Sequence, residues 1–152
     1  SGTFHPLGMA HATGKEVLRF EPLTGDVDYL DTSRIEAFVR KRWAAVARAK
    51  GAISFAVLVS TKPGQERMEL ARELRKEAMD CGRECDLLVG DRIIPEIVDF
   101  YPYDAFVSTA CPRIATDDYF RFKRPVLTPF EFRQVLKIAL LKGAPYVFDQ
   151  IE

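Results

Sequence analysis

The chain has 152 residues, 47% of them hydrophobic and 29% charged, with a formal net charge of zero. That is globular composition, enough for one domain plus a small appendage, and it excludes disorder as the default. No global field and no Lys/Arg tract recruits nucleic acid. The longest apolar block, Ala52 to Val59, is far short of the ~20 residues of a membrane span. Three cysteines form an odd count without a secreted-framework spacing, which fits a reducing cytosol.

Leu7 to Thr13 reads as a short helix with Gly14 as its C-cap. Lys15 to Phe20 reads as a strand ended by Glu21-Pro22 and the turn Thr24-Gly25-Asp26. A strong helix follows. Ser33 is its expected N-cap with Glu36 three residues on, and Ile35, Phe38, Val39, Trp43 and Val46 recur at helical spacing up to Gly51.

Ala52 to Ser60 is apolar almost throughout, as in parallel strands buried on both faces. Gln65 to Cys81 is amphipathic, with Leu70, Ala71, Leu74 and Ala78 on one side. Cys85 to Val89 is a second buried strand, and Pro95 to Phe100 a short helix with proline in its first turn. Asp104 to Thr109 is a third strand and Pro125 to Leu127 a fourth. The last helix runs from Phe130 to Leu141, with Thr128 as N-cap, Pro129 at the first position and Glu131 closing a capping box.

Strands alternating with helices from residue 52 predict a parallel sheet flanked by helices, a three-layer, Rossmann-like half. In such sheets the chemistry lies at the carboxyl ends of the strands. Two loops follow such ends, Ser60 to Gln65 and Thr109 to Arg113.

Cys111 is the most informative residue. It follows a strand end, and we expect it to be exposed. Pro112 stops pairing after it, and Arg113 brings a positive charge that favours a thiolate. A thiolate held beside a cation suits a metal ligand or a nucleophile; the alternative is a cysteine buried as a small hydrophobe. A nucleophile would need a base, and the two histidines, His5 and His11, are far away in sequence. They are also six apart, off the i,i+4 spacing of a two-ligand helical face, and read as surface residues.

Cys81 and Cys85 form a CxxxC pair, but a helix end and a buried strand read as structural, and no further Cys or His pair lies at zinc spacing. Lys62-Pro63-Gly64-Gln65 reads as opening a helix behind a buried strand, where glycine and free N–H groups favour a bound anion, yet neither GxxxxGK[ST] nor GxGxxG is met. Asp117-Asp118 reads as a solvated loop, and Arg121, Lys123 and Arg124, interleaved with Phe120 and Phe122, as a loop lying against the core.

Taken together, several segments are more specific than any one. Thr3 to Gly8, Ala12 to Lys15, Val59-Ser60-Thr61-Lys62-Pro63-Gly64-Gln65 and above all Asp104 to Ala115, with Ala110-Cys111-Pro112-Arg113 at its centre, resemble the archaeal 2-(3-amino-3-carboxypropyl)histidine synthases of diphthamide biosynthesis. Pro125 to Glu131 fits the same pattern. The resemblance covers essentially the whole chain. It implies an enzyme of three similar α/β domains, each giving one cysteine to a central four-iron, four-sulfur cluster. There S-adenosylmethionine is cleaved to a 3-amino-3-carboxypropyl radical that alkylates a histidine of translation elongation factor 2, in the cytoplasm. It also implies a homodimer.

On that resemblance Cys111 is the third-domain cluster ligand, and Pro112 and Arg113 shape and charge its loop. Ser60, Lys62, Gly64 and Gln65 belong to a motif facing the same cavity. His5 and Gly8, near the end of the second domain, are further candidates for contact with S-adenosylmethionine or cluster. Residues 1–31 are then expected to be the end of a preceding α/β domain, 32–50 a connecting helix, and 51–152 the C-terminal cluster-ligand domain. The cysteines of the first two domains are missing from this sequence, and one thiolate holds such a cluster poorly. The expectation is therefore a C-terminal fragment, inactive alone; the alternative is a non-catalytic module for dimerisation or elongation-factor docking.

Overall fold

The computed structural model describes residues 4–137. The chain divides into two compact units, residues 1–43 and 44–152.

In the first unit, α1 (Phe4–Thr13) ends at Gly14, whose φ of +64° is the left-handed conformation that a glycine adopts without Cβ strain. The helix starts three residues before the Leu7 expected from sequence. Strands β1 (Val17–Phe20) and β2 (Val27–Leu30) then form an antiparallel hairpin. The sequence reading missed β2: four residues carry too short an alternation to stand out. One face of the hairpin pairs Leu18 with Tyr29 and Phe20 with Val27, all exposed.

Helix α2 (Thr32–Ala49) is capped by Asp31, not Ser33. Asp31 Oδ1 accepts the Arg34 N–H at 3.0 Å and the Ser33 hydroxyl at 2.8 Å. Those two bonds, the backbone one first, pull the Asp31 carboxyl below its usual range. A carboxylate offers the stronger acceptor, so the helix starts two residues earlier than the hydroxyl suggested.

The second unit is a four-stranded, all-parallel sheet in the order β4-β3-β5-β6 with helices on both faces, as expected. Its strands are β3 (Ser54–Ser60), β4 (Glu84–Gly90), β5 (Ala105–Ser108) and β6 (Val126–Leu127). Side chains alternate along β3. Phe55, Val57 and Val59 join a core with the end of α2, α3 (Met68–Asp80) and α6 (Pro129–Lys137), while Ala56 and Leu58 join a second core with α4 (Pro95–Val98) and α5 (Arg113–Thr116). Double-sided burial is why β3 shows no polar alternation. Phe55 meets Phe132 of α6 edge-to-face, ring centroids 5.0 Å apart, an aromatic contact worth roughly 1 kcal/mol beyond its area.

The capping box of α6 forms as predicted. The Thr128 N–H donates to Glu131 Oε2 at 2.8 Å, and the Glu131 N–H to Thr128 Oγ1 at 3.3 Å. The final turn expected at residues 138–141 lies outside the described residues. The loop read as irregular between β5 and β6 instead folds into α5 and a 3-10 turn at Tyr119–Arg121. Its basic residues pack down: Arg121 pairs with Glu96 at 3.5 Å, the Lys123 N–H donates to the Asp99 carboxylate, and Arg124 to the Tyr101 carbonyl.

Candidate functional site

The carboxyl ends of β3, β4 and β5 open into one cleft of about 400 Å³. Ser60, Lys62 and Gln65 come from the loop after β3, and Ala110, Cys111, Arg113, Ile114 and Asp118 from the turn after β5. Asp91, Arg92, Ile93 and Ile94, after β4, line it as well. Five residues chosen from sequence, Ser60, Lys62, Gln65, Cys111 and Arg113, therefore share a surface although some fifty positions separate the two loops. The parallel pairing of β3 with β5, with Leu58 opposite Ser108, brings their ends level.

Each loop is shaped locally. Ser60 is buried at the last position of β3, and its Oγ accepts the Lys62 N–H at 3.1 Å, folding the chain back as it leaves the sheet. Gly64 (φ +75°) sits at the tip of this turn, closed by the Gln65 N–H donating to the Lys62 carbonyl at 3.0 Å. The turn does not open the next helix: α3 begins at Met68, so its N-terminal N–H groups do not belong to Gly64 or Gln65. Gly64 shapes the loop without lining the cleft.

Below Cys111, the Thr109 hydroxyl and N–H both donate to the Leu58 carbonyl, at 3.0 and 3.1 Å, clamping the end of β5 to β3. The Cys111 carbonyl accepts the Ile114 N–H at 3.1 Å, and Pro112 in helical conformation starts α5. The thiol is thus carried on a rigid turn. It is half-buried rather than exposed, lying in the chain between the buried Ala110 and Pro112; the exposed cysteine is Cys81. Arg113 has a partner of its own, its Nε lying 3.3 Å from Asp117 Oδ2, so its charge is shared with that carboxylate rather than given to the thiol alone. Asp117 is correspondingly a structural ion-pair partner and not a solvated residue.

The other cysteines are placed as structural residues. Cys81 caps α3 at its carboxyl end, and Cys85 is buried near the amino end of β4, opposite Phe55. Burial, helped by the neighbouring Asp86 charge and opposed by Arg75, pushes the Cys85 thiol up to about 11. Among the described residues no group of three or more His, Cys, Asp or Glu is arranged to hold a metal ion. The cleft lining holds one cysteine, Cys111, a single sulfur where an iron–sulfur cluster needs several. His5 and Gly8 lie on α1 in the first unit, which the cleft lining does not include.

Asp91 and Arg92 escaped the sequence reading because only two strand-end loops were considered. The apolar run of β4 ends at Gly90, so the next residues had the same claim to a carboxyl-end position. No helix among the described residues is long and apolar enough to cross a membrane.

A parallel α/β domain with a cysteine on a rigid turn at its strand ends is the class this geometry defines. Residues 1–146 match the family described as "Putative diphthamide synthesis protein", and the chain belongs to that family. It is similar to the 2-(3-amino-3-carboxypropyl)histidine synthase of Pyrococcus horikoshii, 42% identical over 99% of this chain and 42% of the relative. The enzyme of the same name from Methanocaldococcus jannaschii is 34% identical, over 100% of this chain and 44% of its own. The crystal structure of Dph2 from Pyrococcus horikoshii with a 4Fe-4S cluster superposes with a TM-score of 0.82 at 40% identity, covering 99% of this chain and 42% of that one. The chain thus spans less than half the length of the relatives it matches.

Proposed function

We propose that this chain is the C-terminal cluster-ligand portion of an enzyme that transfers the 3-amino-3-carboxypropyl group of S-adenosylmethionine to a histidine of translation elongation factor 2, the first step of diphthamide synthesis. The observation that carries this reading is the cleft itself: Cys111 shares it with Ser60, Lys62, Gln65 and Arg113, in a chain of the diphthamide family similar to a protein solved with a 4Fe-4S cluster. Cys111 supplies one thiolate, held by the Pro112 turn. The Arg113–Asp117 ion pair spans one turn of α5 directly after Cys111 and Pro112. When bound, the cluster supplies the electron that cleaves a carbon–sulfur bond of S-adenosylmethionine to release the transferred group as a radical.

The other cluster cysteines would come from the part of the enzyme beyond this segment, since the chain covers 42% and 44% of its two similar relatives. On this reading the segment is inactive by itself, residues 1–31 belong to the preceding α/β domain, and the whole enzyme works as a cytoplasmic homodimer.

The test is anaerobic iron and sulfide reconstitution of the full-length protein that carries this segment. With Cys111→Ala the charge-transfer absorbance of the cluster should be weakened or lost and transfer to the elongation factor abolished. A cluster of unchanged intensity and iron content would remove Cys111 from the ligand set.

A further inference from the structure

The β1–β2 hairpin is amphipathic with its polar residues on the more buried side. There Arg19 meets Asp28 across the strands at 3.4 Å, and Asp28 is held by Arg34 of α2 at 2.6 Å. Arg34 also donates to the Tyr29 carbonyl at 2.8 Å, and Leu30 on the same face is buried. The outward face is apolar throughout. Leu18, Phe20, Val27 and Tyr29 stand on it side by side, each between 51% and 60% exposed, and Leu23 at the hairpin tip is 94% exposed.

The ion pairs fix the register, because a slip by one residue would carry Arg19 or Asp28 to the other face. Isolated exposed apolar side chains are ordinary. Four contiguous ones on a two-stranded sheet, the least self-sufficient kind, mark a surface made to be covered.

The register also points to what covers it. Leu18 is opposite Tyr29 and Phe20 opposite Val27, so each cross-strand pair joins one aromatic and one aliphatic side chain, with the aromatics on one diagonal. When two hairpins stack face to face, a two-fold axis parallel to the strands exchanges β1 for β2 at the same level. It lays Leu18 of one copy over Tyr29 of the other, and Phe20 over Val27, so that large meets small at all four places. One patch that fits itself about a two-fold axis is what an isologous contact requires, and packed sheets interdigitate in this way.

We infer that this hairpin face docks on the same face of a second copy of the chain and forms the apolar centre of a symmetric dimer. This rests on the homodimer proposed above and names its surface.

The test is analytical ultracentrifugation of the full-length protein that carries this segment. The unaltered protein should sediment as a dimer. Phe20→Asp should raise the dimer dissociation constant by about thirtyfold or more, the scale of a central aromatic at an interface. Phe100→Asp, at an exposed aromatic of the second unit, should leave it unchanged. The two-fold alignment makes a sharper demand. Leu18→Lys and Tyr29→Glu should each weaken the dimer alone, and an equal mixture of the two should re-associate, because the introduced ammonium of one copy then lies over the introduced carboxylate of the other. An unaltered protein that sediments as a monomer, a Phe20→Asp variant that stays dimeric, a Phe100→Asp variant that dissociates as readily, or a mixture no tighter than its components overturns the inference. So does a Phe20→Asp variant that loses its circular-dichroism signal along with its dimer, which would put the face against the rest of its own chain. Cluster assembly on Cys111 is read separately by absorbance, so failure here leaves the proposed transfer reaction standing.

Discussion

Asp104 and Ser54, fifty positions apart, are joined by a compact set of hydrogen bonds at the amino ends of β5 and β3. Asp104 Oδ2 accepts the Ser54 N–H at 3.0 Å, the Ser54 hydroxyl at 3.1 Å and the Ile53 N–H at 3.0 Å. The Asp104 N–H in turn lies 3.0 Å from the Ser54 carbonyl. This clasp closes the pole of the sheet opposite the cleft, and the same parallel alignment carries through to Leu58 and Ser108.

The bonds from Ser54 and Ile53 hold the Asp104 carboxyl below its usual range. The unfolded chain therefore binds this proton more readily than the folded one. The contribution is present above the ordinary aspartate value of about 3.9 and is lost as pH falls through the lower folded value. Asp104→Ala should cost roughly 1–2 kcal/mol at neutral pH. In urea titrations the difference between the unaltered protein and Asp104→Asn should shrink below about pH 4; a difference independent of pH would count against the clasp.

Thr128 and Glu131 are both buried, so their reciprocal cap is shielded from water. Thr128→Ala should lower stability by about 1 kcal/mol, and Glu131→Ala by more, about 1–3 kcal/mol, since it leaves the buried Thr128 N–H without its acceptor. Thr128→Ser should be mild. Equal losses for all three variants by chemical denaturation would contradict this account.

Gly64 has φ +75° and open space where a Cβ would point. Gly64→Ala should therefore cost about 1 kcal/mol through backbone strain alone, and Gly64→Asn less, because asparagine tolerates the left-handed region. Denaturation midpoints check the order. A neutral alanine would mean that the turn between Lys62 and Gln65 relaxes freely.

The three cysteines should separate in alkylation. At pH 8 a thiol at about 11 is only about 0.1% thiolate, and Cys85 is also buried, so it should stay unmodified while the fold is intact. Cys81, exposed, and Cys111, on an open cleft, should both react. Iodoacetamide labelling followed by peptide mass mapping reads this directly. Modification of Cys85 at a rate like that of Cys81 would show that β4 opens.

Much of this protein was legible in the chain because local chemistry wrote it there. Continuous apolar runs announced β3 and the parallel sheet, Thr128-Pro129-Phe130-Glu131 announced a helix start, and the residues around Cys111 carried the family likeness. Short-range competition was harder to see. Asp31 took the cap of α2 from Ser33 because a carboxylate is the better acceptor, and the four residues of β2 gave too little periodicity to register. The cleft was not local at all. Which loops meet is set by strand order and register, so Asp91 and Arg92 became neighbours of Cys111 only once β4, β3 and β5 were laid side by side. The same packing decided that Cys111 is half-covered, that the charge of Arg113 goes to Asp117, and that Cys85 is buried. The sequence by itself determined the elements and the family, since both rest on residues close together in the chain; the tertiary structure decided exposure, charge pairing and the membership of the cleft, which depend on residues brought together across some fifty positions.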